Sequence, residues 1–419
     1  MIDNRPSLVF ADKKGNIFDF EPLAMVGRSG DYIVPIEDCD VIPAPRGSHF
    51  YVLPDRYPIG MDRQTGQIIE LKENPFDPSS PAFAVAIFLA APYTQTYLAA
   101  WEPCDYAQEL PLFAYTALGW ASGFVTTAIR TDPSARQDID TFNMHKVKKG
   151  VEIWKGMFPE NRLVTHLAHC ALVYGCPAAI NLFQAREEGP LPTSPMCNAR
   201  CIGCISYQPK GHPPAPQKRI EFIPGPEEIA EVALTHIAHV KAPVVSFGQG
   251  CEGEPLLAGD VIEEAIYMIR KKTDKGTINL NSNASLPHVV GSLADAGLDS
   301  LRISMNSVRP STYKAYFQPS YDFDALYESV YEMKKRDKFV SINLFVFPGV
   351  TDAPKEANTL KAFIKDTGID MIQWRNLNID PDVYLDTLAQ RFPSGIGIKR
   401  LISEIDVRCG YFNPYLSKL

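Results

Sequence analysis

Cys197-Asn-Ala-Arg-Cys201-Ile-Gly-Cys204 sets three cysteines at C-x3-C-x2-C spacing, with no fourth close behind. Thiolates are the preferred ligands of iron–sulfur clusters, and a four-iron cubane normally takes four of them. A short loop that supplies three leaves one iron open to a ligand from outside the protein. An open iron beside a reducible cluster is a place for chemistry as well as electron storage. The competing reading is zinc, which wants four ligands. The nearest candidate for that fourth ligand is His212, eight residues on, across Pro209 and Gly211.

The cysteine run lies in a proline-rich passage, Pro190 to Pro226, with nine prolines in 37 residues. Proline lacks the N–H that ladders and helices need, so this passage is predicted to be extended and loop-like, able to wrap a cluster. Beyond Pro226 the pattern alternates. Predicted helices over 227–239, 261–271, 287–296, 324–335 and 355–365 precede predicted strands over 244–247, 277–280, 300–304, 339–346 and 371–374 respectively. Such alternation predicts an α/β fold with a parallel sheet and right-handed crossovers. Six β/α units of this kind make a partial barrel, and ligands of such sheets lie beyond the carboxyl ends of the strands.

Polar residues gather at those ends. Gly248-Gln-Gly-Cys-Glu-Gly-Glu-Pro255 follows the first long strand, 44 residues past Cys204. Asn279-Leu-Asn-Ser-Asn283 and Arg302-Ile-Ser-Met-Asn306 end the next two. Asn343 and Phe345 lie on the fifth strand, and Gln373, Arg375, Asn376 and Asn378 surround the end of the sixth. Helix capping is the competing role for the asparagines. Arg375 suits a carboxylate or phosphate, with a surface salt bridge as its alternative.

The cysteine loop and Glu252-Gly253-Glu254-Pro255 together resemble the radical S-adenosylmethionine (radical SAM) superfamily, over about Pro195 to Asp380. The resemblance implies a partial (β/α)6 barrel with a [4Fe-4S] cluster on Cys197, Cys201 and Cys204. It also implies S-adenosylmethionine on the open iron, cleaved reductively to methionine and a 5′-deoxyadenosyl radical that abstracts hydrogen from a substrate. By the motif match Gly253, Glu254 and Pro255 receive the cofactor's ammonium, Glu254 through a charge-assisted contact. Asn281, Asn283, Ser304 and Asn306, with Arg302 behind them, are matched to the ribose and methionyl carboxylate, and Arg375 is a further cofactor candidate. Two positions depart from the family pattern. Glu252 replaces the motif's first glycine, and Gly203 stands where an aromatic often packs near the adenine, which shifts that packing to Ile205 or Tyr207. No residue is assigned a catalytic role beyond these.

Elsewhere the residues give four segments. Short β-like runs at Ser7–Phe10, Asp31–Val34, His49–Leu53 and Gln67–Leu71, parted by glycine turns, predict a small β-rich module over 1–75. Residues 76–190 are a mixed to helical accessory region, aromatic and without a clear period to Asp140 and helical in spacing from Phe142 to Arg186. The barrel with its cluster loop fills 191–385, and 386–419 reads as a helical tail. His166, His169, Cys170 and Cys176 fall close together, the first three on one helix face, which makes a second metal site a candidate. Cys251, inside the glutamate turn, reads as a packed thiol, with a ligand or a hydrogen donor to a radical as the alternatives.

Bulk properties narrow the class. A net charge of −8 argues against broad, sequence-blind binding to nucleic acid. Nine cysteines, an odd number with three grouped, suit a reducing compartment rather than a disulfide framework. The most apolar stretch, Ala82 to Ala91, is ten residues long against the ~20 that span a bilayer. Met1-Ile-Asp-Asn-Arg-Pro6 shows no signal-peptide pattern, and the expected location is cytoplasmic. The leading expectation is a radical SAM enzyme fed electrons by a flavodoxin- or ferredoxin-type reductant, its substrate unidentified. Modification of a protein, peptide or RNA is one alternative, and a non-catalytic iron–sulfur electron carrier is another.

Overall fold

The computed structural model describes residues 4–209 and 213–416, so His212 lies outside the described residues. The chain divides into two compact units that share the sequence in turns. One holds residues up to Pro133 together with Phe345–Lys361 and Trp374–Asp406; the other holds Ser134–Leu344, Ala362–Gln373 and the chain from Val407 onward.

The second unit is built on seven strands in sequential order: Glu188–Pro190, Val244–Phe247, Thr277–Ser282, Ser300–Met305, Phe339–Val346, Met371–Asn376 and Arg408–Gly410. The described pairings are parallel throughout. Every residue of Thr277–Ser282 is buried, as expected where helices cover one face and the barrel interior the other. The crossover helices start cleanly. Pro226–His239 has proline at its first position and Glu228 reaching back to the Gly225 N–H, while Pro287–Ala296 also opens on proline.

Asn413 shows that this sheet curls. Its Nδ2 donates to Glu188 Oε1 on the first strand at 2.8 Å, to Ser246 Oγ on the second at 3.3 Å and to Asn281 Oδ1 on the third at 3.2 Å. Its Oδ1 accepts from Gln373 on the sixth strand at 3.0 Å. One side chain reaches both ends of the strand order only if the sheet bends round on itself. The α/β partial barrel expected from the sequence is present. The tail differs from the purely helical reading: it holds helices Pro381–Leu388 and Ile398–Glu404, and then the seventh strand. Three residues, Arg408-Cys409-Gly410, carry no period to detect, and their pairing with Met371–Gln373 makes them a strand.

The other unit centres on a twelve-stranded, antiparallel sheet. Ser7–Ala11 pairs with Ile17–Ser29, with Phe83–Phe88 and with Leu118–Trp120. Val9, Val85, Ile87 and Leu118 close one of its cores. A boundary at residue 75 would cut through this sheet, so the β module runs on to about Pro133, and the helices Met144–Met157, Arg162–Leu172 and Pro177–Phe183 go with the barrel instead. Among the described residues no single helix is long and apolar enough to cross a membrane.

Asp380 ties the late chain into this first unit. Its Oδ2 accepts from Arg56 Nη2 at 3.2 Å and from the Leu110 N–H at 2.8 Å, with Arg56 and Asp380 side chains 4% and 2% exposed. Truncating one member of a buried pair strands the other charge, so Asp380→Ala is expected to destabilise this unit by about 3–5 kcal/mol. Arg56→Met with Asp380→Leu should recover most of that loss, as read from denaturant midpoints.

Candidate cofactor site

The chain leaves the first barrel strand at Pro190 and enters the cysteine loop without regular structure. Backbone bonds to the end of helix Pro310–Phe317 hold it: Arg200 N–H to Phe317 O at 2.9 Å and Ile202 N–H to Tyr316 O at 3.1 Å. Asn198 O accepts from the Ser320 N–H at 3.0 Å and its hydroxyl at 2.9 Å. The three thiols are free and half-buried. Burial pushes Cys197 up, with the Glu254 carboxylate adding to it, and pushes Cys201 well above the ordinary thiol range, with Cys204 and Cys197 adding. Thiols that oppose one another's ionisation become thiolates together only against a strong positive centre, which a metal cluster supplies.

Around Cys204 lies a small polar group that the sequence reading missed. Arg219 donates from Nη2 to Cys204 Sγ at 3.5 Å and from Nε to Ser206 Oγ at 3.2 Å, and its guanidinium lies 5.1 Å from the Tyr207 ring centre. Ser206, Tyr207 and Arg219 border a cavity of about 550 Å³. Of the two adenine-packing candidates, Tyr207 is thus on a cavity wall, whereas Ile205 packs against Gly250.

The glutamate turn docks onto the entrance of this loop. The Gly253 N–H donates to Ser194 O at 2.6 Å and the Glu254 N–H to Met196 O at 2.7 Å. A Cβ on Gly253 would stand 1.9 Å from Met196 O, so a side chain there is excluded. Glu252, the departure from the family pattern, explains itself. Its buried carboxylate accepts from the N–H groups of Thr193, Ser194 and Gln249 at 2.8, 2.9 and 2.7 Å, clasping the loop entrance to the turn. Glu254 is 4% exposed; it accepts from Ser282 Oγ at 2.6 Å, the Asn283 N–H at 2.9 Å and the Leu256 N–H at 3.1 Å. All three donors are neutral, and burial pushes both Glu252 and Glu254 up to about 7. Pro255 opens the short helical turn Pro255–Ala258 that Glu254 caps.

The remaining predicted residues divide. Asn283 stands at the site: its Nδ2 donates to Asn198 Oδ1 in the cysteine loop at 2.7 Å. Ser304 is half-buried and in register with Asn343, whose buried Oδ1 has no hydrogen-bond partner among the described residues. Asn281 is engaged structurally, donating to Phe247 O and Gly248 O at 2.9 and 3.1 Å, and Asn306 donates to Thr312 O at 3.1 Å. Arg302 donates to Gln373 Oε1 at 3.0 Å. Arg375, Asn376 and Asn378 fall in the other unit, where Asn376 bonds the Gln95 N–H and Tyr93 O at 2.8 and 3.0 Å. Beside the cysteines, Tyr313 and Tyr321 join their hydroxyls at 2.7 Å, and burial, reinforced by Cys201 and Glu254, pushes both up. Nothing in the spacing of these tyrosines announces the pair.

The donor set fits the cluster and cofactor: three loop thiols, an anchored carboxylate with neutral partners, and an unpartnered buried carbonyl on the barrel wall. Residues 191–359 match the family model for the radical SAM superfamily. GTP 3′,8-cyclase 2 of Mycobacterium tuberculosis (strain ATCC 25618 / H37Rv) is 30% identical over 125 residues, 28% of this chain and 31% of that one. GTP 3′,8-cyclase of Aquifex aeolicus (strain VF5) is 28% identical over 181 residues, 42% of this chain and 52% of that one. The chain therefore spans about a third to a half of the length of the curated relatives it matches. A solved structure described as native anSMEcpe with bound AdoMet is 17% identical with a TM-score of 0.36, over 46% of this chain and 51% of that one.

Gly253→Ala should undock the turn from the loop. Its expected signature is severalfold faster maleimide labelling of Cys197 in the metal-free protein, followed by mass spectrometry, with labelling of the exposed Cys39 unchanged.

Proposed function

We propose that this protein, whose residues 191–359 are a radical SAM superfamily domain, binds a [4Fe-4S] cluster through Cys197, Cys201 and Cys204 and cleaves S-adenosylmethionine reductively. The observation that carries this reading is the docking of a buried carboxylate with neutral partners, Glu254, onto the entrance of a three-thiol loop. When bound, the cluster and cofactor supply the electron and the sulfonium from which a hydrogen-abstracting 5′-deoxyadenosyl radical is made.

The chain's own residues bind and orient. Gly253 lets the turn approach the loop, and Glu254 accepts the N–H groups of the cofactor's amino end. Asn283 ties that turn to the loop, and Ser304 with Asn343 offers polar groups on the barrel wall. Asn281 and Asn306, with their amides engaged by backbone, act as positioning residues. Arg219 donates to Cys204 Sγ, and hydrogen bonds to cluster sulfurs are a lever on reduction potential. Electrons come from a flavodoxin- or ferredoxin-type donor. The GTP 3′,8-cyclases cover 28% and 42% of this chain, a shared length that supports the common first step rather than cyclisation of GTP.

After anaerobic reconstitution with iron and sulfide, then dithionite and S-adenosylmethionine, 5′-deoxyadenosine should form. Cys201→Ala should abolish it together with the brown absorption near about 400 nm. Product without bound iron, or a wild-type protein that holds iron and forms none, would refute the assignment.

The pH dependence has a definite sign. Glu254 sits near about 7 in the free protein and must be ionised to accept from an amino group. Affinity for S-adenosylmethionine should therefore rise from about pH 6 to about pH 8 and then level, by up to about tenfold per unit below the midpoint. Glu254→Gln should flatten the profile and lower affinity, as measured by equilibrium dialysis on the reconstituted protein.

A further inference from the structure

A second set of metal-ligating side chains lies behind the glutamate turn. Helix Arg162–Leu172 is capped by Asn161, whose Oδ1 accepts from the Val164 N–H at 2.9 Å, and it presents His166 and Cys170, four residues apart, on one face. The loop after strand Val244–Phe247 brings Cys251 to the same place. The ligand atoms of His166, Cys170 and Cys251 all lie within 4.8 Å of one another, and His166 Nε2 is 3.5 Å from Cys170 Sγ. Cys170 and Cys251 are 1% and 6% exposed.

The surroundings fix each ligand. The backbone of Cys251 accepts from the Ile220 N–H at 2.8 Å, and the Phe222 ring meets His166 edge-on at 6.3 Å. The Cys176 N–H donates to Cys170 O at 3.0 Å, which fixes the backbone of Cys170. His169 turns away and packs against Tyr174, their rings 4.9 Å apart. The sequence thus groups His166 with Cys170 correctly, but the third member comes from a loop 81 residues beyond Cys170 (251 − 170).

From these distances we propose that His166, Cys170 and Cys251 bind a single zinc ion, separate from the three-cysteine loop, with a water as the fourth ligand. Tetrahedral zinc with bonds of about 2.3 Å to sulfur and 2.0 Å to nitrogen holds a sulfur and a nitrogen about 3.5 Å apart and two sulfurs about 3.8 Å apart. His166 Nε2 and Cys170 Sγ already stand at that separation, and Cys251 offers its sulfur within 4.8 Å of both. Two thiolates and an imidazole are a borderline-soft set that suits zinc, and binding requires both sulfurs as thiolates, any proton they still carry passing to water. The ion joins helix Arg162–Leu172 to the loop that carries Glu252 and Glu254, so it holds the glutamate turn from behind.

The test uses the full chain with Cys197, Cys201 and Cys204 all replaced by serine, which removes the cluster loop as a competing zinc ligand. Equilibrated with zinc chloride and desalted, this variant should keep about one zinc per chain, and its cobalt(II) form should show thiolate-to-metal charge-transfer absorption. Adding Cys170→Ser and Cys251→Ser should reduce both to near zero. Because those variants are free to misfold, the zinc-edge X-ray absorption of the unsubstituted protein provides the second reading. A mixed sulfur and nitrogen shell supports the site. An all-oxygen shell, no retained zinc in the loop variant, zinc kept after both thiols are lost, or a Cys170–Cys251 disulfide overturns it. None of these outcomes depends on cleavage of S-adenosylmethionine, so this site and the proposed activity stand or fall separately.

Discussion

A carboxylate kept from water and met by neutral donors alone constrains the whole second unit. Removing an ionised group from water is costly unless hydrogen bonds or an opposite charge compensate. Glu254 has the hydrogen bonds, from Ser282, Asn283 and Leu256, but these donors reach it only if the Thr277–Ser282 strand and the Val244–Phe247 strand end at matched heights. The missing positive partner leaves the carboxyl easy to protonate. Glu252 repeats the device one turn earlier with three backbone amides, and its task is to clasp loop to turn.

A second polar layer runs through the barrel interior and holds the strands at those heights. Glu188 is largely enclosed, its side chain 13% exposed. Burial by itself would raise its carboxyl, but Arg136, Ser246 and Asn413 outweigh that and keep it low. Arg136 Nη1 also donates to Asn413 O at 2.9 Å, so an arginine before the barrel and an asparagine after it meet on the first strand. Such a network is favourable when its members are satisfied and costly when one is lost. It gives the sheet a defined curvature that aliphatic packing alone would leave less determined.

The sequence revealed what depends on local spacing. Three cysteines within eight residues, glycines around Glu254 and the alternation of helix and strand are short-range patterns, and each corresponds to an element in the structure. Arrangements made by distant residues stayed hidden. Asn281 and Asn283 look alike at a strand end, yet one bonds the Gly248 turn and the other reaches the cysteine loop, because the strand stops at Ser282 and alternation no longer places Asn283 on the face of Asn281. Glu252 read as a departure from a motif because its partners, Thr193 and Ser194, lie nearly sixty residues upstream, at separations of 59 and 58. The extent of the N-terminal sheet was missed for a related reason. Leu118–Trp120 is three residues long, too short to show a period, and joins the N-terminal sheet through Ser7 and Leu8, more than a hundred residues upstream.

The interleaving of the two units bears on how the chain is made. Arg56 and Asp380 are 324 residues apart in sequence. At about 5–20 residues per second of ribosomal synthesis, the arginine emerges roughly 16–65 s before its carboxylate exists. Through that interval the nascent β sheet carries a guanidinium whose native pocket is incomplete. Its closing segments, up to Asp406, follow the whole of Ser134–Leu344 off the ribosome. The β unit, begun before the barrel, is therefore left open while most of the barrel is made, and nascent-chain chaperones have a long window in which to act on it.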